Sequence, residues 1–322
     1  MHWIMILIAF IFTARPVMAQ ELSIMGGLAE SLDSGHISSS WQLEYRQGLG
    51  EHLDAGLSYV NEGHIPNHHR DGGALQFWAQ TRALDKHLSL AAGLGPYYFF
   101  DTTNKTLAGP SQNDHGWAGI LSLAATFYTE SRWLFQLRTN WIGIGSDVDR
   151  LSAVAGIGYQ LEDTATKPGF RDSVANPDAK NELTVFLGQT VTNTFSTSQD
   201  VATSIEYRRR LARHIEWTAA WLYEVDDRII RRNGLTTQLW AVQPFFDDSF
   251  SIGVGGGGYF AVEHYDDLIY GKNTDRVLSG IVAFTASYRF QPHWDIRTSW
   301  NRIITKYHMD TDVIMGGVGF RF

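Results

Sequence analysis

The residues best suited to chemistry are histidines, carboxylates and arginines, and they come in two arrangements. His64, His68 and His69 share one segment with Glu62 and Asp71: Asn61-Glu62-Gly63-His64-Ile65-Pro66-Asn67-His68-His69-Arg70-Asp71. Imidazole nitrogens and carboxylate oxygens are the natural ligands for zinc where thiolates are lacking, so this is the candidate metal site. A matching segment further along, Tyr223 to Asn233, keeps the Glu and the Arg but contains no His. A solvated outer loop is the better reading, with no metal and no cofactor implied.

The second arrangement is periodic. Gln42, Glu44 and Arg46 alternate with Trp41, Leu43 and Tyr45; Gln136 and Arg138 with Phe135 and Leu137; Asp295 and Arg297 with Trp294 and Ile296. Alternation puts the two sets on opposite faces of a sheet. Gln42, Glu44, Arg46, Gln76, Trp78 and Arg138 fall on the polar face, as do Glu206, Arg208, Gln238, Trp240 and Arg297. Such a face forms either an interior network of ion pairs or the lining of a path for a polar solute, where Trp faces would contact a sugar chain.

The elements that position these residues follow from composition and rhythm. The chain has 322 residues, 44% hydrophobic, 13% aromatic and 19% charged, with 31 Gly and 8 Pro. That is too apolar for a disordered protein. The lack of Cys excludes a disulfide scaffold, an iron–sulfur or thiolate-zinc site, a cysteine nucleophile and a lipoprotein anchor. A net charge of −8 argues against nucleic acid as a partner. Residues 1–19 read as a secretory signal, with an apolar run from Ile4 to Phe12 and a cleavage site at Val17-Met18-Ala19. Beyond them no apolar run approaches the ~20 residues of a spanning helix.

The rest of the chain alternates in runs of about 9–14 residues, long for a soluble sheet and right for a tilted membrane strand. Sixteen strands are expected, near 22–30, 38–47, 52–61, 73–83, 87–100, 117–128, 132–143, 151–162, 181–193, 200–211, 214–225, 235–245, 249–263, 277–290, 293–305 and 312–322. Aromatics at Tyr97 to Phe100, Phe127-Tyr128, Trp133, Phe245-Phe246 and Trp294 mark the membrane interfaces. An Arg on the lipid face at the bilayer midplane costs about 2–4 kcal/mol, which turns the charged face inward. Tight turns at Gly48-Leu49-Gly50, Asp85-Lys86, Ser131, Asp247-Asp248 and Pro292 belong to the periplasmic end. Longer loops at 62–72, 101–116 and 263–276 belong to the outer end. The expected class is all-β, a transmembrane antiparallel barrel.

The chain is internally duplicated. At an offset of 162, residues 41–101 align without a gap on 203–263, placing Glu44-Tyr45-Arg46 on Glu206-Tyr207-Arg208, Glu62 on Glu224, Arg70 on Arg232 and Trp78 on Trp240. Later the offset is 161, which places Gly156 to Leu161 on Gly317 to Phe322. Two eight-strand repeats result, at 20–162 and 181–322, with a polar linker at 163–180. They can close as one sixteen-stranded barrel or as two tandem eight-stranded ones. Leu161 stands where the second copy has Phe322, which weakens a separate closure of the first copy and favours the single barrel. Small inward residues, Ser89 to Gly95 and Ser251 to Gly257 at alternate positions, leave room for a channel.

The ending Gly317-Val318-Gly319-Phe320-Arg321-Phe322 resembles the C-terminal assembly signal of Gram-negative outer-membrane barrels, with Phe320 and Phe322 its aromatics. One repeat resembles eight-stranded outer-membrane barrels such as outer-membrane protein A or the lipid A deacylase. The resemblance implies residence in the cell outer membrane, with its lipid and the barrel-assembly machinery as partners. The deacylase family carries a His-x-Ser-Asn-like element on a late strand. Here the stretches are Arg138-Thr139-Asn140-Trp141 and Arg297-Thr298-Ser299-Trp300, without His, so a lipid hydrolase is disfavoured unless His115 or His308 meets a Ser in space. The expected function is a pore for a polar solute or polysaccharide, with a periplasmic export partner in the latter case. Tandem barrels with a structural or surface-binding role are the alternative.

Overall fold

The computed structural model describes residues 20–84, 87–104, 111–144, 149–161, 179–195, 199–226, 231–246, 248–263 and 278–322. The expected signal and nearly all of the linker lie outside them. Among the described residues there are sixteen strands. The first eight are β1 (Gln20–Ser31), β2 (Ile37–Gly48), β3 (Leu53–Ile65), β4 (His68–Ala83), β5 (Leu88–Thr103), β6 (Gln112–Tyr128), β7 (Trp133–Ile144) and β8 (Arg150–Gln160). The second eight are β9 (Asn181–Thr192), β10 (Gln199–Ala212), β11 (Ile215–Asp226), β12 (Arg231–Phe245), β13 (Phe250–Glu263), β14 (Leu278–Gln291), β15 (Trp294–Ile304) and β16 (Thr311–Arg321).

Within each set of eight, consecutive strands pair antiparallel, and two further ladders close the sheets. β1 pairs β8 from Glu21↔Gln160 to Ser31↔Arg150. β9 pairs β16 from Glu182↔Arg321 to Thr192↔Thr311. Each set of eight is thus a closed barrel, and the chain divides into two compact units. This corrects the expectation of one sixteen-stranded barrel. Within lipid every backbone N–H and C=O must be paired inside the protein, and closure removes all edges. The terminal aromatic is not needed for this: Leu161 continues the first seam, its N–H donating to Gln20 O at 2.8 Å.

The faces divide as the alternation requires. Outward positions carry large apolar side chains, among them Ile24, Leu90, Leu94, Leu123 and Leu137 on the first barrel and Val185, Leu187, Ile205 and Leu239 on the second, all more than 40% exposed. A continuous apolar outer face of this kind is stable only in lipid. Aromatic pairs sit toward both ends, including Trp133–Tyr159 (ring centroids 5.2 Å) and Tyr98–Trp117 (4.9 Å) on the first barrel and Trp294–Phe320 (5.0 Å) on the second. Tyr97, Phe100 and Phe245, expected at the interfaces, are instead buried.

The end that bears the chain termini of each barrel, the near end, has the tight turns. Four strands there begin directly after a histidine: His52, His87, His214 and His293. Each carbonyl accepts an N–H from the next strand, from Gln80, Tyr128, Val242 and Arg321 respectively. In the last three, ring Nδ1 also lies 2.9–3.1 Å from the carbonyl of the same partner residue. A carbonyl can only accept, so Nδ1 carries the proton. The result is a two-point clamp between the turn and the next strand.

At the opposite, far end the expected loops at 62–72 and 101–116 prove shorter. β3 and β4 extend to a two-residue turn at Pro66-Asn67, and β5 and β6 run to Thr103 and from Gln112. A strand that projects past the membrane needs no apolar face, so its polar composition reads as loop. The third expected loop, 263–276, lies almost wholly outside the described residues.

Candidate functional site: the interiors of the two barrels

All eleven residues expected on the polar face point inward and are at most 7% exposed. They engage one another and neighbouring interior residues in a lower storey of each barrel, and a second set of residues forms an upper storey.

In the lower storey of the first barrel, Glu44 Oε2 accepts from Arg138 Nη2 and lies 3.4 Å from Arg46 Nη2. Arg138 stands on β7 and Glu44 on β2, three strands apart around an eight-strand ring, so this ion pair spans the bore. Asn140 Nδ2 donates to Gln42 Oε1 across the same gap at 3.1 Å, and Gln76 Nε2 donates to Ser122 Oγ at 2.9 Å. The Trp78 indole fills the centre, with the Arg46 and Arg138 guanidiniums 4.1 and 4.6 Å from its ring. Cations over an indole face in a dry site are worth up to ~2 kcal/mol.

The inward Gly93 explains how the indole fits. A methyl group there would lie 2.4 Å from the Trp78 ring, and one at Gly255 would lie 2.5 Å from Trp240. At Gly93 and Gly255 the space expected as channel room is filled by tryptophan.

The lower storey of the second barrel uses different pairs on the same plan. Arg208 binds Glu206 at 2.9 Å and Glu216 at 3.0 Å, and its guanidinium lies 4.6 Å from the Trp240 ring. Arg297 binds Glu182 at 2.9 Å, and Arg321 binds Asp295 at 2.7 Å. Gln238 Nε2 donates to Asn301 Oδ1 at 3.2 Å, from β12 to β15 across the bore.

The upper storeys centre on Glu62 and Glu224, which the sequence did not mark as interior. Both sit at a β-bulge, where the β3–β4 register shifts between Asn61 and His64 and the β11–β12 register between Tyr223 and Val225. A bulge re-aims a side chain. Gly63 takes the left-handed backbone (φ 78°) that the first bulge requires, and a Cβ there would lie 2.1 Å from Ser39 O. Glu62 receives Arg70 through Nε and Nη2 at 2.8–2.9 Å, the Tyr97 hydroxyl at 2.6 Å and, more loosely, Arg150 at 3.7 Å. Glu224 receives Arg232 Nε at 2.7 Å. Arg232 Nη2 reaches Thr311 Oγ1 at 2.7 Å, from β12 to β16, diametrically across the ring. The Glu–Arg pair kept in both copies was the available signal, but it reads equally as a loop pair.

The weak metal candidates do not assemble with a carboxylate pair. His64 and His69 are opposed across β3–β4, their rings stacked at 3.8 Å, while His68 Nδ1 bonds Asp101 at 2.9 Å. Among the described residues no group of three or more His, Asp or Glu side chains could hold a metal. His115 packs edge-on against Phe100, 5.7 Å between centroids, and His308 lies in the far-end turn before β16. Phe320 and Phe322 stack at 6.4 Å at the near end of β16, and Phe322 exchanges backbone hydrogen bonds with Asn181 of β9.

No family model matches the chain, and no curated protein matches it. Among solved structures it is similar to outer-membrane β-barrels. The N-terminal barrel domain of Pseudomonas aeruginosa OprF shares 10% identity, covering 44% of this chain and 98% of that one, with a TM-score of 0.36. Ail, the attachment invasion locus protein of Yersinia pestis, in complex with the heparin analogue sucrose octasulfate, shares 14% over 44% and 97%, with a TM-score of 0.31. The CymD monoaromatic hydrocarbon channel shares 10% over 98% and 93%, with a TM-score of 0.25.

Proposed function

We propose that the chain is a tandem-barrel protein of the Gram-negative outer membrane. In this reading the barrels are membrane-fixed scaffolds, and binding takes place at their ends. The carrying observation is that buried hydrogen bonds and ion pairs bridge each bore at two heights. Eight strands leave an interior that side chains can fill, whereas sixteen would leave water. The outward apolar belts supply the membrane side of the argument, and the closing strand with Phe320 and Phe322 suits recognition by the barrel-assembly machinery.

The full-length protein in planar bilayers tests this. Silence, or rare brief openings, is the expected result, and a steady conductance would overturn it. A second reading, a pore for a polar solute, is favoured by one feature of the first barrel. Gln42 Nε2, Glu44 Oε1, Gln76 Oε1 and Trp78 Nε1 are buried without a protein partner. A chain of waters or the hydroxyls of a small solute would satisfy them. Polysaccharide export, with its periplasmic partner, belongs to that second reading and requires Trp78 or Trp240 to move. A lipid-hydrolase role is the third reading.

A further inference from the structure

The near end of the second barrel carries a cluster of cations at one edge. Lys180, Arg209 and Arg213 are exposed, and Arg210 is partly so. They cluster at one edge: Arg210 N–H donates to Lys180 O at 2.8 Å, Arg209 pairs in register with Asn181 of β9 and Trp217 of β11, and Arg213 lies in the β10–β11 turn. At the offset of 162 the first copy has Gln47, Gly48 and Glu51 where the second has Arg209, Arg210 and Arg213. At these aligned positions the charge is carried in one copy only.

Among the described residues Asp248, in the neighbouring β12–β13 turn, is the acid close to this end that is not buried, and the interior acids are already engaged. Glu182, Glu206, Glu216 and Asp295 are buried and engaged by Arg208, Arg297 and Arg321. Arg210 reaches Glu216 only at 3.9 Å, and no ion pair joins Lys180, Arg209 or Arg213 to another described residue. Just inside the same mouth Arg289, 5% exposed, keeps its Nε without a partner.

Position along the strand identifies the ligand. Val201, Thr203, Ile205, Tyr207 and Arg209 form the outward column of β10. Tyr207 packs against Trp217 at 6.2 Å, and Arg209 pairs in register with Trp217, so Arg209 lies level with the interfacial aromatics, within reach of the headgroups. A cation costs little there and meets lipid phosphate directly. A water-soluble partner would have to displace lipid to reach it.

We infer that this edge of the second barrel binds the phosphate of an anionic phospholipid headgroup, with Lys180, Arg209 and Arg213 as its contacts. The inference rests on the membrane-spanning reading of the barrel. The test uses the full chain folded into vesicles of phosphatidylcholine with and without phosphatidylglycerol, followed by native mass spectrometry of the lipids retained. Wild type should retain phosphatidylglycerol preferentially, and added salt should weaken the preference. Lys180→Gln with Arg209→Gln and Arg213→Gln should weaken it on the order of fivefold per charge removed. Equal retention by wild type and variant would overturn the inference, as would displacement by inorganic phosphate as effective as by lipid. Failure to insert into either vesicle would instead strike the membrane reading itself.

Discussion

Arg70 and Arg232 do the same work in the two barrels: each holds a buried glutamate that a bulge has turned inward. Removing one partner of a buried pair leaves an uncompensated charge and costs about 3–5 kcal/mol. Arg70→Met is therefore expected to lower the unfolding midpoint of the first barrel by that order, and Arg232→Met that of the second, measured by urea titration of the folded band on a cold gel. Glu62 keeps Tyr97 and the more distant Arg150, whereas Glu224 keeps Thr311. The size of the two losses reads out how much those remaining groups compensate. Gly93 supports a second prediction. An added methyl group meets the Trp78 ring, and overpacking of this kind costs about 1–3 kcal/mol. Gly93→Ala should destabilise the first barrel, and the double variant with Trp78→Ala should recover part of the loss.

The near-end histidine clamps set the expectation for strands and turns. His214 lies in the β10–β11 turn, where burial holds its imidazole below the ordinary value of 6.5. Arg213 lowers it further, while the hydrogen bond to Val242 O and the charge of Asp248 oppose the shift. The unfolded chain therefore takes up the proton first. Stability present above about pH 6.5 is lost as the pH falls. The protection factors of amides at the β10–β11 turn, with the intrinsic pH dependence of exchange divided out, should fall between about pH 7 and about pH 5, and His214→Gln should flatten that dependence. Strand existence and facing were legible in the sequence because alternation is local: sixteen strands appear, with β3 to β6 running further at the far end than the pattern puts them, and the eleven polar-face residues turn inward. The upper storey was not legible. At Gly63 the bulge breaks the alternation, so Glu62 and Arg70 read as loop residues although they bridge a bore.

For the whole molecule, the duplication was legible but its closure was not. One sixteen-stranded barrel and two eight-stranded barrels use the same hairpins, and differ only in which distant strands meet at the seam. Local patterns carry no signal for that choice. What decides it is volume: Trp78, Trp240 and the ion pairs around them fill an eight-strand bore and would leave a sixteen-strand bore unbridged. The absence of cysteine allows a direct reading of the seam by disulfide trapping in the full-length protein. Ile24 faces outward opposite Ile157 on β8, and Val318 holds the place of Ile157 in the second copy. Two tandem barrels predict that Ile24→Cys cross-links with Ile157→Cys and does not cross-link with Val318→Cys. A cross-link between positions 24 and 318, with none between 24 and 157, would contradict the two-barrel account.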